Sequence, residues 1–384
     1  KEDSIMVKCQ DNTVRDGMQQ HNVNKNFRTK LSVFELIGQS NVDSVEIGMC
    51  ASEDDYTMIC EEAKKLSSNQ EVVVLTRLVK QDIDITARLK KKVNQLTIKL
   101  LVPISDLHIE KKLGLTRESM KSKLENCLNY LQQLNIQTDI CFEDATRADK
   151  LYFMEVLQLC NKYPVHFVTI ADTVGCMVPE EFGAYIREIK QNGYDFGISV
   201  HCHNDLGLAT ANSIAGVLNG AEQVETTFLG IGERAGNTSI EEVSYILYKK
   251  YGIKSNINFK DIILLANEIS EILKFPIAAT KPIIGDNVFI HESGIHQDGM
   301  MKDCNMYQFV QPEDFGTQIK PLDLNISGIS SSKILSSRVS KEFGNIADTK
   351  EIVNFYRKAA KIINHITLEE ACDLYKFINL LQTN

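Results

Sequence analysis

The stretch AEQVETTFLGIGERAGN, residues 221–237, reads as a short β-branched run closing on a glycine-rich turn. Seven comparable runs precede it: SIMVKCQD at 4–11, DSVEIG at 43–48, EVVVLTR at 71–77, QLTIKLLVP at 95–103, IQTDICFED at 136–144, HFVTIADT at 166–173 and GISVHCHND at 197–205. Segments with helical spacing of apolar residues lie between most of them: Leu31–Ile37, Tyr56–Leu66, Met120–Leu134, Leu151–Cys160, Phe182–Ile189 and Ala209–Leu218. Six such repeats would suit an open doubly wound sheet as well as a closed one. The eighth run decides, because eight strand–helix repeats within about 250 residues close a parallel barrel. The expected fold is therefore α/β, a (β/α)8 or TIM barrel over residues 1–255, then a smaller, mainly helical C-terminal part over 256–384. That second part holds the helical segment Phe259–Leu273, the glycine- and proline-bearing KPIIGDNVFIHESGIHQDG at 281–299, and a helical tail from about Ser331.

Composition narrows the function. With 43% hydrophobic and 24% charged residues the chain is globular, and no apolar run approaches the roughly 20 residues of a membrane span, so no membrane association is expected. The net charge of −9 is spread along the chain, which argues against a nucleic-acid surface but allows a local basic pocket for an anionic ligand. Ten cysteines lie scattered, with no C-x-x-C pair and no signal peptide, which fits reduced buried thiols in a cytoplasmic protein.

In a barrel of this kind the active site lies at the C-terminal ends of the strands. Those ends are polar here: Arg15 and Asp16 follow strand one, Glu46 ends strand two, Arg77 strand three, Glu143 and Asp144 strand five, Asp172 and Thr173 strand six, His201 and His203 strand seven. Alternate strand residues share a face, so His201 and His203 project together while Cys202 faces the helices. Taken alone, H-x-H fits a hydrogen-bonded core pair as well as a pair of metal ligands. The turn after strand eight closes beside strand one, however, and brings Asn237 and Asp16 toward the same point. Two imidazoles, a carboxylate and an amide suit a divalent ion such as Zn²⁺, Mn²⁺ or Mg²⁺. Arg15 is then a fixed cation beside the ion, placed to stabilise a developing oxyanion. GIGERA at 230–235 also fits a G-x-G-x-x-A dinucleotide pattern, but no following strand ends in an acid, so a tight polar turn is the better reading.

Together RDG at 15–17, DTVG at 172–175, HCHND at 201–205 with the GLATANS after it, GIGERAGN at 230–237 and HESGIHQDG at 291–299 resemble the acetyl-CoA-dependent 2-oxo-acid condensing enzymes, the 2-isopropylmalate, homocitrate and citramalate synthases. The likeness runs from about Met6 to about Gly316, and SDLHIEKKL at 105–113 leans toward the isopropylmalate and citramalate branch. The resemblance implies an acyltransferase of amino-acid biosynthesis that adds the acetyl methyl of acetyl-CoA to a 2-oxo acid and then hydrolyses the thioester. It implies a metal on Asp16, His201 and His203 with Asn237 nearby, a carbonyl polarised by Arg15, a strand-five acid in Glu143, and a carboxylate contact from Thr173. In the C-terminal part His296, with Asp298 and Tyr307, resembles the group that takes the methyl proton, and a homodimer with shared active sites is implied.

The chain departs from the family pattern in places. Met18 stands where many of these synthases carry an acid, and Asp139 where homocitrate synthases carry an arginine for a distal carboxylate, which argues against a dicarboxylate acceptor such as 2-oxoglutarate unless Arg77 substitutes. NISGISSSK at 325–333 lacks expected basic residues, and the chain ends soon after the helical tail, so control by leucine through a further domain is not expected. One alternative is a lyase of the 3-hydroxy-3-methylglutaryl-CoA type, but FLGIGERAG at 228–236 lacks the cysteine such lyases carry in a late loop. The other is a catalytically degenerate relative that binds a metabolite.

Overall fold

In a computed structural model the described residues are 6–316, 327, 329–343, 349–363 and 365–382. Eight parallel strands form a closed barrel in sequence order: β1 (Lys8–Asp11), β2 (Ser44–Met49), β3 (Glu71–Thr76), β4 (Leu96–Pro103), β5 (Gln137–Glu143), β6 (Val165–Asp172), β7 (Gly197–Cys202) and β8 (Gln223–Thr226). Closure is made by β8, which pairs with β1 from Lys8↔Gln223 to Asp11↔Thr226. The run at 222–228 therefore does what its position suggested, and every strand end meets the same mouth.

Helices alternate with the strands: α1 (Phe27–Ile37), α2 (Glu53–Ala63), α3 (Lys80–Ala87), α4 (Arg117–Leu134), α5 (Lys150–Cys160), α6 (Pro179–Gln191), α7 (Ala209–Leu218), α8 (Ile240–Tyr251) and α9 (Phe259–Leu273). Local chemistry starts several of them. Asn26, Ser52, Thr116 and Asp149 each accept a first-turn amide N–H, and Pro179 opens α6. Helix α3 is absent from the sequence reading. Its buried residues are Asp82, Ile83 and Thr86, so the face it packs inward carries a single large apolar side chain and gives almost no periodic signal.

The two strand faces divide the work. Val72, Val74, Ile98, Leu100, Val102, Ile140, Phe142, Val168, Ile170, Ile198, Val200, Cys202 and Val224 sit two residues apart along their strands, all buried. From β4 on, these side chains pack with helix residues such as Leu124, Phe153 and Phe182 into the largest apolar core, each large side chain contributing on the order of 1.5–3 kcal/mol by leaving water. The alternate face of the strands carries Gln10, Glu46, Lys99, Thr169, His201 and Glu225, so part of the barrel interior is polar where such barrels are usually filled by branched apolar side chains.

The chain divides into two compact units, residues 1–277 and 278–384. The division falls later than the boundary at 255/256 expected from the sequence, because α9 packs on α1 and buries Ile262, Leu265, Ala266, Ile269 and Leu273. The C-terminal unit contains α10 (Gly294–Lys302), α11 (Ser332–Phe343), α12 (Thr349–Ala359) and α13 (Leu368–Gln382). Leu335, Val339, Ile352, Val353, Tyr356, Leu368, Ala371 and Cys372 form its own core. Asn325, Ile326 and Gly328, part of the segment whose missing basic residues were noted above, lie outside the described residues. No helix among the described residues is long and apolar enough to cross a membrane.

Candidate active site

The turn after β1 is folded back on itself, with the N–H groups of Asp16 and Gly17 both donating to the Asn12 carbonyl at 2.9 and 3.0 Å. This aims Arg15 and Asp16 into the mouth. From two strands away, past β8, come His201, in β7, and His203, which forms an antiparallel bridge with Asn237 beyond β8. The two Nε2 atoms stand 3.2 Å apart, and the Asp16 Oδ2 lies 3.5 Å from that of His201 and 3.9 Å from that of His203. Among the described residues this is the one group of three or more His, Cys, Asp or Glu side chains close enough to hold a metal ion. Asn237 donates Nδ2 to Asp16 Oδ2 at 2.6 Å and so steadies the carboxylate, while its Oδ1 and the His203 Nδ1 are buried with no hydrogen-bond partner. Two imidazole nitrogens turned toward one carboxylate, with an unsatisfied amide oxygen beside them, are the donor set of an intermediate divalent cation.

Behind these residues lies a buried charge network. His201 Nδ1 is 2.9 Å from Glu225 Oε2, which fixes the ring and leaves Nε2 to face the cluster. Glu225 in turn accepts from Lys99 at 2.6 Å, from Thr169 at 2.7 Å and from Asn12 at 2.9 Å. Lys99 also reaches Glu46 at 3.1 Å, and Glu46 accepts from Arg15 Nε. Arg15 completes the circuit by donating to Asp16 at 3.1 Å.

Burial by itself would raise the Asp16 carboxyl, but Arg15 and then His201 hold it well below the usual carboxylate range. Burial would lower His201, yet hydrogen bonds to Asp16 and Glu225 lift it to about 9. His203 goes the other way: burial, reinforced by the neighbouring His201, pushes it down to about 4. The two histidines of one motif are thus driven in opposite directions, His201 up by the Asp16 and Glu225 carboxylates and His203 down by burial and by His201.

The mouth opens into a cavity of about 540 Å³ lined by residues of the barrel unit, with Arg15, Asp16, His201 and His203 on one side and Glu143 and Thr173 on its wall. Glu143 is held by Lys112 at 2.8 Å, with His108 Nδ1 at 3.5 Å. Thr173 accepts from the Asp144 N–H at 2.8 Å through its hydroxyl. Arg77, expected to reach substrate, instead binds Asp82 of α3 in a two-pronged pair at 2.6 and 3.1 Å and is not part of the cavity wall. Asp139 accepts from the Phe167 N–H at 2.9 Å, and Met18 is buried in the turn after β1. The remaining candidates belong to the C-terminal unit. His296 stacks on Tyr307 at 4.2 Å between ring centroids, with His291 6.0 Å from His296, and Asp298 pairs with Lys302 at 2.6 Å.

Sequence reasoning missed Lys99, Glu225, Gln10 and Asn12, and it missed Arg234. A lysine inside TIKLLV at 97–102, and a glutamate inside QVET at 223–226, are the only signals they give. Arg234 adopts a left-handed backbone (φ 56°), rare outside glycine, and its guanidinium joins Asp205 at 2.7 Å to the Thr173 carbonyl at 2.7 Å, tying three of the loops at the mouth together.

Residues 6–269 match the HMGL-like family model, and residues 283–361 match the model described as homocitrate synthase post-HMGL domain-like. The chain is similar to a 2-isopropylmalate synthase of Parabacteroides distasonis, 34% identical over 90% of this chain and 72% of that protein. It is similar to a 2-isopropylmalate synthase of Sulfurisphaera tokodaii, 33% identical over 97% of this chain and 95% of that protein. A putative (R)-citramalate synthase of Methanopyrus kandleri is 33% identical, over 81% of this chain and 60% of that protein. Among solved structures, an HMG-CoA lyase of Bacillus subtilis superposes with a TM-score of 0.61 at 16% identity, covering 73% of this chain and 97% of the lyase. At that identity the likeness is one of fold alone.

Proposed function

Because the chain belongs to the HMGL-like family and brings Asp16, His201, His203 and Arg15 to one cavity, we propose that it condenses acetyl-CoA with a 2-oxo acid and hydrolyses the thioester, releasing CoA and a 2-hydroxy-2-alkyl diacid. The observation that carries the reading is the convergence of three metal-competent donors beside a partly buried guanidinium at the barrel mouth. A divalent ion held by Asp16, His201 and His203 would polarise the carbonyl of the 2-oxo acid. Arg15, fixed between Glu46 and Asp16, supports the negative charge that grows on the carbonyl oxygen as the new carbon–carbon bond forms. We assign the orienting of the acceptor's carboxylate to Thr173, a residue of the cavity wall. Glu143 stands on the same wall as the acid–base group for the steps that follow.

The acceptor's side chain is read from the other wall. Leu75, Leu101, Cys141 and Ala171, from β3 to β6, form an apolar cluster there, and the cavity's cations (Arg15, Lys30 and Arg234) come from outside those strands. A short uncharged alkyl group suits this wall, and a distal carboxylate would be left without a partner on it. We assign removal of the acetyl methyl proton to His296, acting with Tyr307 and Asp298 on the barrel of a partner subunit.

A thiol-release assay tests the reading, with acetyl-CoA offered against pyruvate, 2-oxoisovalerate, oxaloacetate and 2-oxoglutarate. CoA release with one of the first two, well above the dicarboxylic acids, is the expected result. Release with none of the four, together with cleavage of 3-hydroxy-3-methylglutaryl-CoA, would replace it with the lyase reaction.

A further inference from the structure

We propose that Lys99 is a positioning residue for this site, its buried ammonium holding Glu46 and Glu225 so that one aims Arg15 and the other aims His201. The proposal rests on the reading above, that the mouth binds a divalent ion and a 2-oxo acid. Lys99 is fully buried in the middle of β4 and touches neither the candidate ligands nor the cavity. Its ammonium donates to Glu225 at 2.6 Å and to Gln10 Oε1 at 2.9 Å, and it pairs with Glu46 at 3.1 Å. Both oxygens of each carboxylate are then engaged. Glu225 gives one oxygen to Lys99 and Thr169 and the other to Asn12 and His201; Glu46 gives one to Arg15 and the other to Gln10 and Lys99.

The two arms of the chemistry therefore meet at one nitrogen. One arm runs Lys99–Glu46–Arg15, to the group that faces developing charge, and the other runs Lys99–Glu225–His201, to a metal donor. Without the ammonium two buried carboxylates would face each other in low dielectric with no cation between them, and their repulsion would turn both away from their present partners. Gln10 cannot substitute, because its amide already donates to Glu46 and Asn12. A methyl-bearing side chain of similar length fills the space of Lys99 but cannot hold either glutamate.

The test compares wild type with Lys99→Met and Lys99→Gln. Each is followed by circular dichroism and thermal melting, by calorimetric titration with Mn²⁺, and by steady-state kinetics of CoA release. The expected outcome is a folded barrel in which Mn²⁺ affinity and kcat each fall by roughly 10- to 100-fold, the usual size of effects transmitted through a ligand's hydrogen-bond partner, while KM for acetyl-CoA changes little. A residue that served only barrel stability would lower the melting temperature and leave Mn²⁺ affinity and kcat alone, and that result would overturn the proposal. Failure of both variants to fold would overturn it too, by making Lys99 a determinant of the barrel before it is one of the site. A wild type that binds Mn²⁺ but releases no CoA would sink the proposed reaction and leave the positioning role to be decided by the Mn²⁺ comparison. A wild type that binds no divalent ion would sink both.

Discussion

The barrel mouth and the His296 cluster hold their chemistry in opposite ways. Asp16, His201 and His203 are each less than a tenth exposed, and Asp16 and His201 are braced by partners that are themselves buried. His296 and Tyr307 lean on one another, with Tyr307 41% exposed, and Asp298 is tied only to a lysine one turn along the same helix. Groups that must hold an ion and a forming bond to within fractions of an ångström are built into strands and locked from behind. Groups that deliver or collect a proton can be carried on a separate unit and held more loosely. If the contrast is right, displacing a residue of the mouth should abolish the site, and displacing the cluster without removing its base should only weaken it.

The largest effect is expected from His201→Ala or His203→Ala. Each should lose bound metal, measured by elemental analysis, and all measurable turnover, with an unchanged circular dichroism spectrum, since both side chains sit at the mouth rather than in the packed shell. Metal stoichiometry unchanged in both would remove the site. The same lesion tests whether the cluster acts across a dimer. Co-refolded with His296→Ala, half of the dimers are hybrids with one intact site, so activity should return to roughly a quarter of wild type if sites are shared. Sites built within single chains would leave the mixture dead.

Arg15→Lys comes next. A point charge cannot reproduce a guanidinium that bonds Glu46 and Asp16 at once, so kcat should fall about tenfold or more, an oxyanion contact being worth ~3 kcal/mol. Metal affinity, which rests on His201 and His203 as well as on the Asp16 carboxylate that Arg15 bonds, should change less than kcat. Equal losses in both would mean that Arg15 supports the ligands rather than the reacting oxygen.

The residues exposed to these tests are the ones the sequence displays. H-x-H, the arginine–aspartate pair and the turn after the eighth run are local patterns, and strand alternation converts them directly into a shared face. Lys99 and Glu225 are invisible for a physical reason. One charged residue in an apolar strand looks the same whether it is buried in the barrel or exposed at an edge, and only closure brings a residue at position 99 against one at 225. Helix α3 is hidden by its short apolar face, and with it the pairing of Arg77, because Asp82, its partner, sits five residues along on an element the pattern does not reveal.

A gentler lesion probes the C-terminal cluster without touching its polar atoms. A Cβ added to Gly299 would fall 2.4 Å from the Tyr307 Cε2, so Gly299→Ala must displace the ring on which His296 stacks. Alanine also favours helix over glycine by about 0.5–1 kcal/mol, so α10 itself should not be weakened. Aromatic stacks are worth ~0.5–1.5 kcal/mol, which places the expected loss in kcat at about two- to tenfold, with metal affinity unchanged. An abolished kcat would show that the cluster is as finely set as the mouth and would break the contrast. Unchanged kcat would detach the stack from the chemistry.

The smallest effect should come from Arg77→Ala, and it decides how the acceptor is read. Arg77 sits at the end of β3, where a substrate-binding cation would be expected, but its side chain is 55% exposed and both prongs of its guanidinium are spent on Asp82. Arg77 is exposed but Asp82 is buried, so the variant strands a buried carboxylate and should lower the melting temperature while leaving turnover almost unchanged. If the acceptor carries an alkyl group against Leu75, Leu101, Cys141 and Ala171, the variant should keep its KM for a monocarboxylic 2-oxo acid to within about twofold, since a side chain that makes no contact supplies no binding to lose. A tenfold rise in KM would mean that Arg77 leaves Asp82 when substrate arrives. The acceptor would then carry a second negative group, and the apolar wall would no longer define its class.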